Sequence, residues 1–200
     1  MNKTFLKIII VLALLAGFGL FGRAYFYFPN DEVDSGLPTV EQINNTYATT
    51  TAIGLPERLI IPKLEIDADV QHLGVTTSGN MAAPNNFTDV SWYKLGTPPG
   101  ADGSAVMAGH EDNAISLDGV FKHLEDLVVG DSVYVMDKDG NKLEFKVVDS
   151  KVYPYDNSPV EKIFNAKGKA RLNLITCAGE WLPSAHTNDK RLVVYTELVK

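Results

Sequence analysis

The stretch Ser132-Val133-Tyr134-Val135-Met136-Asp137-Lys138-Asp139-Gly140-Asn141-Lys142-Leu143-Glu144-Phe145-Lys146-Val147-Val148-Asp149-Ser150-Lys151-Val152 decides the fold class. Ser132 to Met136 reads as a strand, Asp137-Lys138-Asp139-Gly140 as a turn, and Lys142 to Val152 as a long returning strand. Two strand-like runs across a Gly-containing turn are a hairpin signal. Working outward, Arg58 to Pro62 is a short strand stopped by proline. Leu64, Ile66, Ala68 and Val70 recur at period two, which is strand alternation. Ser104 to Gly109 is an apolar strand running into His110, and Arg171 to Thr176 and Arg191 to Leu198 complete the set. Helix is scarce: a short turn at 121–127, and another at 159–165, where Pro159 suits a helix start. Many short strands joined by Gly- and Pro-rich turns mean a sandwich or a closed barrel, so the domain is all-β.

The N-terminus is different. Ile8 to Gly22 is apolar, and no charge lies between Lys7 and Arg23. A spanning helix needs about 20 residues and a signal-peptide core is shorter. Phe5 and Leu6 extend the run, Lys7 can snorkel, and Tyr25-Phe26-Tyr27-Phe28 suits a lipid–water interface. An uncleaved transmembrane helix within residues 1–28 is expected, with Lys3 and Lys7 keeping the N-terminus in the cytoplasm. A cleaved signal peptide is the rival reading, but Arg23 between Gly22 and Ala24 makes a poor cleavage site. Residues 29–54, with Pro29 and Pro38, read as an extracellular linker, and residues 55–200 as one domain with its own core.

All 25 acidic residues lie beyond residue 28, whereas Lys3, Lys7 and Arg23 precede it, so the outer part is more acidic than the net charge of −7. That argues against a nucleic-acid partner, whose phosphates need clustered Lys and Arg. Glu65, Asp67 and Asp69 lack calcium-loop spacing and read as a solvated edge. Cys177 is the sole cysteine, so no internal disulfide exists and a zinc site is unsupported, the histidines being scattered. No Gly-x-Ser-x-Gly elbow is present.

Cys177 is therefore a packing residue, an incidental thiol or a nucleophile. A nucleophilic thiol needs help toward the thiolate, a proton-transfer partner, and a donor for the oxyanion of a tetrahedral intermediate. His110, after Ala108-Gly109 at a strand end, is the first partner candidate; His186, in the segment after Cys177, competes, and His72 and His123 read as loop or packing positions. Arg191 matters only if strands 171–176 and 191–198 are neighbours, which would put it and Cys177 at one rim. From residues alone, a cysteine transferase or hydrolase and an extracellular binding module both stay open.

Three blocks carry a family resemblance. The first is Asp89 to Tyr93, Gly96 to Gly100 and Gly103 to His110. The second is Gly119 to Leu124 with Leu127 to Asp131. The third is Leu172-Asn173-Leu174-Ile175-Thr176-Cys177 with Arg191-Leu192-Val193-Val194-Tyr195. The chain resembles the sortases, membrane-anchored cysteine transpeptidases of bacterial surfaces, over residues from about Leu55 onward. The resemblance implies a closed eight-stranded β-barrel behind the membrane anchor. It implies cleavage of a Leu-Pro-x-Thr-Gly-like C-terminal sorting signal in exported proteins through a thioacyl-enzyme. The acyl group then goes to an amine on a cell-wall precursor or pilin. It implies a single-pass protein of the bacterial cell membrane, with the lipid bilayer as partner and the catalytic domain outside; the residues themselves assign no cofactor and no metal ligands. Carried over, Cys177 is the nucleophile, His110 moves protons, and Arg191 donates to substrate and oxyanion. Thr176 and Ala108 lie at the substrate. Residues 153–170 and 178–190 are then loops shaping a groove, with Tyr155, Ile163 and Phe164 among its apolar wall. The Trp92-Tyr93 block and Cys177 to Trp181 look most like classes E and F, with class A the rival.

Overall fold

The computed structural model describes residues 53–112 and 118–199. The expected transmembrane helix and nearly all of the linker lie outside the described residues. Among those described, no helix is long and apolar enough to cross a membrane.

Eight strands close into a barrel: β1 (Pro56–Ile61), β2 (Ile66–Leu73), β3 (Val90–Tyr93), β4 (Gly103–Ala108), β5 (Ser132–Asp137), β6 (Lys142–Pro154), β7 (Ala170–Leu182) and β8 (Thr187–Leu198). The order around the barrel is β1-β2-β3-β4-β7-β8-β6-β5, and β5 pairs back onto β1. The β2–β3 and β4–β7 pairs are parallel and the rest antiparallel. One helix, α1 (Val160–Phe164), and short 3-10 turns at Pro62–Leu64 and Leu124–Asp126 complete the described elements.

The hairpin forms as its sequence suggests. Leu143, Phe145 and Val147 point inward from β6, while Lys142, Glu144 and Lys146 are at least partly exposed. Gly140 takes a positive φ of 83° at the turn. Asp137 is buried and its carboxylate accepts hydrogen bonds from the backbone of Gly54, Asp139 and Asn141 and from the Asn141 amide, at 2.8–2.9 Å. Burial pushes this carboxyl up, but the donated hydrogen bonds outweigh it and hold Asp137 below its ordinary value.

Two expectations need correction, and one strand was not anticipated. Leu64 belongs to a 3-10 turn, not to β2, because Pro62 starts a turn and Glu65 takes a left-handed φ of 56°. Val90 to Tyr93 is a strand that periodicity misses, since Val90, Ser91 and Trp92 are all buried and show no alternation. Most of 178–190 is not loop: β7 and β8 continue past Cys177 as a two-stranded ribbon, pairing Trp181 with Asn188 and Leu182 with Thr187. A bulge between Ala178 and Trp181 accommodates Gly179, whose φ is 81°.

Strand alternation creates two apolar clusters. Inside the barrel, Ala105, Met107, Leu172, Leu174, Leu192 and Val194 join Trp92, Phe121 and Phe145. On the outer face of the same strands, Val106, Val193 and Tyr195 pack with Ile163 of α1, flanked by Tyr93, Tyr153, Phe164 and Ile175. Burying a side chain of this size contributes roughly 1.5–3 kcal/mol, so α1 is fixed to the barrel mainly through Ile163. The Asn173 amide adds a buried 2.6 Å hydrogen bond to the Ile163 carbonyl.

Candidate active site

Cys177 and Arg191 are directly opposed in the β7–β8 ladder. Directly opposed residues share a face, with Cβ atoms about 5 Å apart. The face follows from parity. Leu172, Leu174 and Thr176 point inward, so Asn173, Ile175 and Cys177 take the outer side; Leu192 and Val194 point inward, so Arg191, Val193 and Tyr195 take it too. The two residues proposed from sequence thus meet on the surface that carries α1, not in the interior.

His110 reaches the same place by a different route. The parallel β4–β7 ladder aligns Ala108 with Ile175, and the Gly109 amide donates to the Ile175 carbonyl at 3.1 Å. The parallel ladder ends at the Ala108–Ile175 pair; extended by two residues, its register would bring His110 level with Cys177. The Thr176 hydroxyl donates to the Gly109 carbonyl at 2.9 Å, a buried bond that ties β7 to the residue before the histidine. The Phe87 ring packs on the imidazole at 4.9 Å. His110 Nε2 lies 2.9 Å from the Pro84 carbonyl. A carbonyl only accepts, so Nε2 carries a hydrogen, and Nδ1 is the atom that gains or loses a proton.

Two glycines make room for this segment. A side chain at Gly119 would run into the His110 carbonyl, and one at Gly109 would meet Phe121 and Val120 at 2.7 Å. The Phe121 amide donates to the His110 carbonyl at 2.8 Å and the Gly119 amide to that of Glu111 at 2.8 Å. His186, the competing histidine, sits in the turn closing the ribbon at a φ of 51°. His72 instead points Nε2 at the Pro56 carbonyl and its ring edge at Trp92.

Arg191 is held along one edge. Its Nη1 donates to the carbonyls of Asn188 at 3.0 Å and Lys190 at 2.8 Å, and Nη2 donates to the Thr187 hydroxyl at 2.6 Å. The Tyr155 ring lies 5.9 Å from the guanidinium carbon, within cation–π range. Of five guanidinium N–H groups, the Nε hydrogen and one Nη2 hydrogen have no partner among the described residues.

The other sequence candidates separate. Ala108 lies on the outer face at the end of β4, and Tyr155 stands over Arg191. Phe164 is partly buried, edge-on to Tyr93 at 5.5 Å. Ile163 is buried as the anchor of α1, which takes it out of a groove wall. Thr176 is also buried, with its hydroxyl engaged on Gly109, so its contact is with the backbone before His110 rather than with a ligand. The acidic edge is occupied by a side chain: Arg58 pairs with Asp67 at 2.6 Å and Asp69 at 2.5 Å. Among the described residues no group of three or more His, Cys, Asp or Glu could hold a metal.

Sequence reasoning missed Thr187, Asn188 and Glu111. Nothing local marks them; they join the site through the ribbon register and the turn after β4.

Burial pushes the Cys177 thiol above its ordinary 9.0; Arg191 opposes this, while Glu111 and Asp112 reinforce it. Burial likewise pushes the His110 imidazole below 6.5, against the pull of the Pro84 hydrogen bond. Both groups are therefore neutral at rest near pH 7. Glu111 is itself raised by burial first and by Asp112 next, with Lys122 opposing and Glu125 reinforcing.

The thiol and the guanidinium thus oppose each other on the outer barrel face, and the imidazole follows the end of β4, the strand parallel to β7. A family model for the sortase domain matches residues 59–199. Among solved structures, sortase A from Corynebacterium diphtheriae, lid mutant, superposes with a TM-score of 0.60 at 18% identity, over 96% of this chain and 95% of that one. Sortase C-1 from Actinomyces oris gives 0.57 at 20% identity, over 92% and 96%. Sortase A from Listeria monocytogenes gives 0.54 at 24% identity, over 73% and 88%. These likenesses speak to the fold. No curated protein matches. With the domain model spanning most of its length, the chain belongs to the sortase family.

Proposed function

We propose that this protein is a cysteine transpeptidase that cleaves a Leu-Pro-x-Thr-Gly-like sorting signal and transfers the exported protein to a cell-surface amine. The observation that supports the reading is the register opposing Cys177 to Arg191; His110 follows β4, which runs parallel to β7.

In the first half-reaction the Cys177 proton passes to His110 Nδ1, and the thiolate attacks the Thr carbonyl carbon. The carbonyl oxygen becomes an oxyanion, facing the two uncommitted N–H groups of Arg191. Donors fixed in advance where charge develops are worth more than donors that must reorganise, and Thr187, Asn188 and Lys190 supply that fixing. The intermediate collapses as the Thr–Gly C–N bond breaks, and His110 Nδ1 returns its proton to the departing amine. In the second half-reaction an incoming amine attacks the thioester carbon and gives a proton to His110 Nδ1. The C–S bond breaks, Cys177 leaves as the thiolate, and it takes that proton back from His110 Nδ1, which restores the neutral pair. Tyr155, Phe164 and Ala108 are the proposed apolar contacts for the Leu-Pro part, on the face beside α1. The protein works from the outer side of the bacterial cell membrane, held by the apolar segment within residues 1–28; Lys3 and Lys7 support this orientation.

The test is product analysis by mass spectrometry. The full chain in detergent is incubated with Leu-Pro-x-Thr-x peptides and a glycine amine. An amine-linked peptide is the expected product. Free acid alone, despite excess amine, contradicts transfer and makes the protein a peptidase. No turnover of any such peptide makes it a binding barrel or one with another recognition motif.

A further inference from the structure

We propose that Asn188 is a positioning residue for this reaction, locking the segment after His110 to the ribbon that carries Arg191. Its side-chain amide has two N–H groups. One donates to Glu111 Oε2 at 3.4 Å and the other to the Gly179 carbonyl at 3.5 Å. Its backbone carbonyl accepts from Arg191 Nη1 at 3.0 Å. One half-buried residue therefore touches the neighbour of His110, the strand extension two residues past Cys177, and Arg191 itself.

The Glu111 contact spans 77 positions of sequence and is the side-chain hydrogen bond joining the turn after β4 to the ribbon. Among the described residues, the Thr176–Gly109 bond and the β4–β7 ladder also tie this segment to the ribbon, through β7. Next to Glu111, Asp112 pairs with Asp118 in an isolated antiparallel bridge. Asp112, Lys122 and Glu125 are the charged groups around Glu111, and Arg191, Glu111 and Asp112 those around Cys177. Moving Glu111 relative to Arg191 changes the balance of charge at the thiol, and moving Arg191 misplaces the oxyanion donors. The link thus serves thiol activation and transition-state binding together.

The experiment is a reciprocal exchange in the full chain: Asn188→Asp, Glu111→Gln and the double variant. Asn188→Asp faces one carboxylate with another, while the double variant restores a donor–acceptor pair with the charge moved across. Two readouts are taken: the pH midpoint of Cys177 alkylation by iodoacetamide, and the rate of peptide acylation. Asn188→Asp is expected to slow acylation roughly tenfold, in the range of coupling between contacting residues. Glu111→Gln should lower the alkylation midpoint by removing a charge that opposes the thiolate. The double variant should return both readouts toward wild type. Additive losses in the double variant overturn the proposal. If Asn188→Asp does not fold, Asn188→Ala replaces it. Glu111→Gln must then change acylation less in the Ala background than alone, and an equal change overturns the link. Turnover rests on the proposed function, but alkylation needs no peptide. A wild-type protein that ignores every sorting peptide therefore defeats that function and leaves the link to be judged by the alkylation midpoints.

Discussion

At the residue scale, the chemistry turns on two neutral groups that must exchange a proton. With the thiol raised and the imidazole lowered, the thiolate–imidazolium pair is a minority at every pH. Its share is constant between the two pKa values, because the pH change that removes one charge restores the other. Below the His110 value the thiolate disappears with no further gain in imidazolium. Above the Cys177 value the imidazolium disappears with no further gain in thiolate. The expected kcat/KM profile is a broad bell with its acid limb below 6.5 and its alkaline limb above 9.0. A narrow bell centred between pH 7 and 8 would contradict the assignment. Arg191→Lys tests the guanidinium. Lysine retains the charge but not the fork, and one ammonium cannot hold Thr187 and two carbonyls while donating to an oxyanion. The expected loss in kcat/KM is about 100-fold or more, measured at saturating amine. Near-wild-type turnover would remove Arg191 from the mechanism.

At the element scale, the ribbon beyond Cys177 is where a modest change should matter. Gly179 needs its left-handed backbone for the bulge, and an added Cβ would meet the Asp189 carboxylate, which accepts the Glu180 amide at 2.8 Å. Gly179→Ala is expected to destabilise by at least about 1 kcal/mol, seen as a lower Tm, and to reduce kcat because the same ribbon seats Arg191. Unchanged Tm and kcat would show the bulge to be dispensable. The same region shows what sequence conveys. The hairpin from Ser132 to Val152 was legible because Leu143, Phe145 and Val147 alternate with charges and Gly140 marks the turn. The proximity of Cys177 and Arg191 was legible because two apolar runs flank a connector short enough to make them neighbours. The ribbon was not: the resemblance implied loop over 178–190, and the bulge at Gly179 interrupts any strand alternation there. Nor was β3, with three successive buried residues. The parallel β4–β7 pairing, which delivers His110, leaves no local mark. Ile163 was read as groove wall because an apolar residue on a short helix looks the same whether it faces a ligand or anchors the helix.

For the whole molecule, closure through the β5–β1 pairing leaves the barrel without a free edge, and a buried carboxylate stands at that seam. The folded-state pKa of Asp137 is depressed below 3.8, as is that of Asp131, whose carboxylate accepts from Lys63 and the Val128 amide. A depressed carboxyl contributes stability that is present above the unfolded value and lost as pH falls through the folded one. Stability should therefore decline from about pH 4 downward. Asp137→Asn should flatten that decline and lower stability at pH 7, where donors now meet a neutral acceptor. Chemical denaturation at pH 7 and pH 3 checks both, and an unchanged pH dependence would mean that Asp137 is not the seam's acid-sensitive group. The central claim, however, concerns Cys177, and one measurement addresses it most directly. The full chain is incubated with a sorting-signal peptide without amine, quenched in acid, and its adduct mapped by tandem mass spectrometry. The account predicts an acyl adduct on Cys177, absent from a folded Cys177→Ala variant and discharged on adding glycine amine. Peptide cleavage that persists in Cys177→Ala, or an adduct mapped to any other residue, would contradict it.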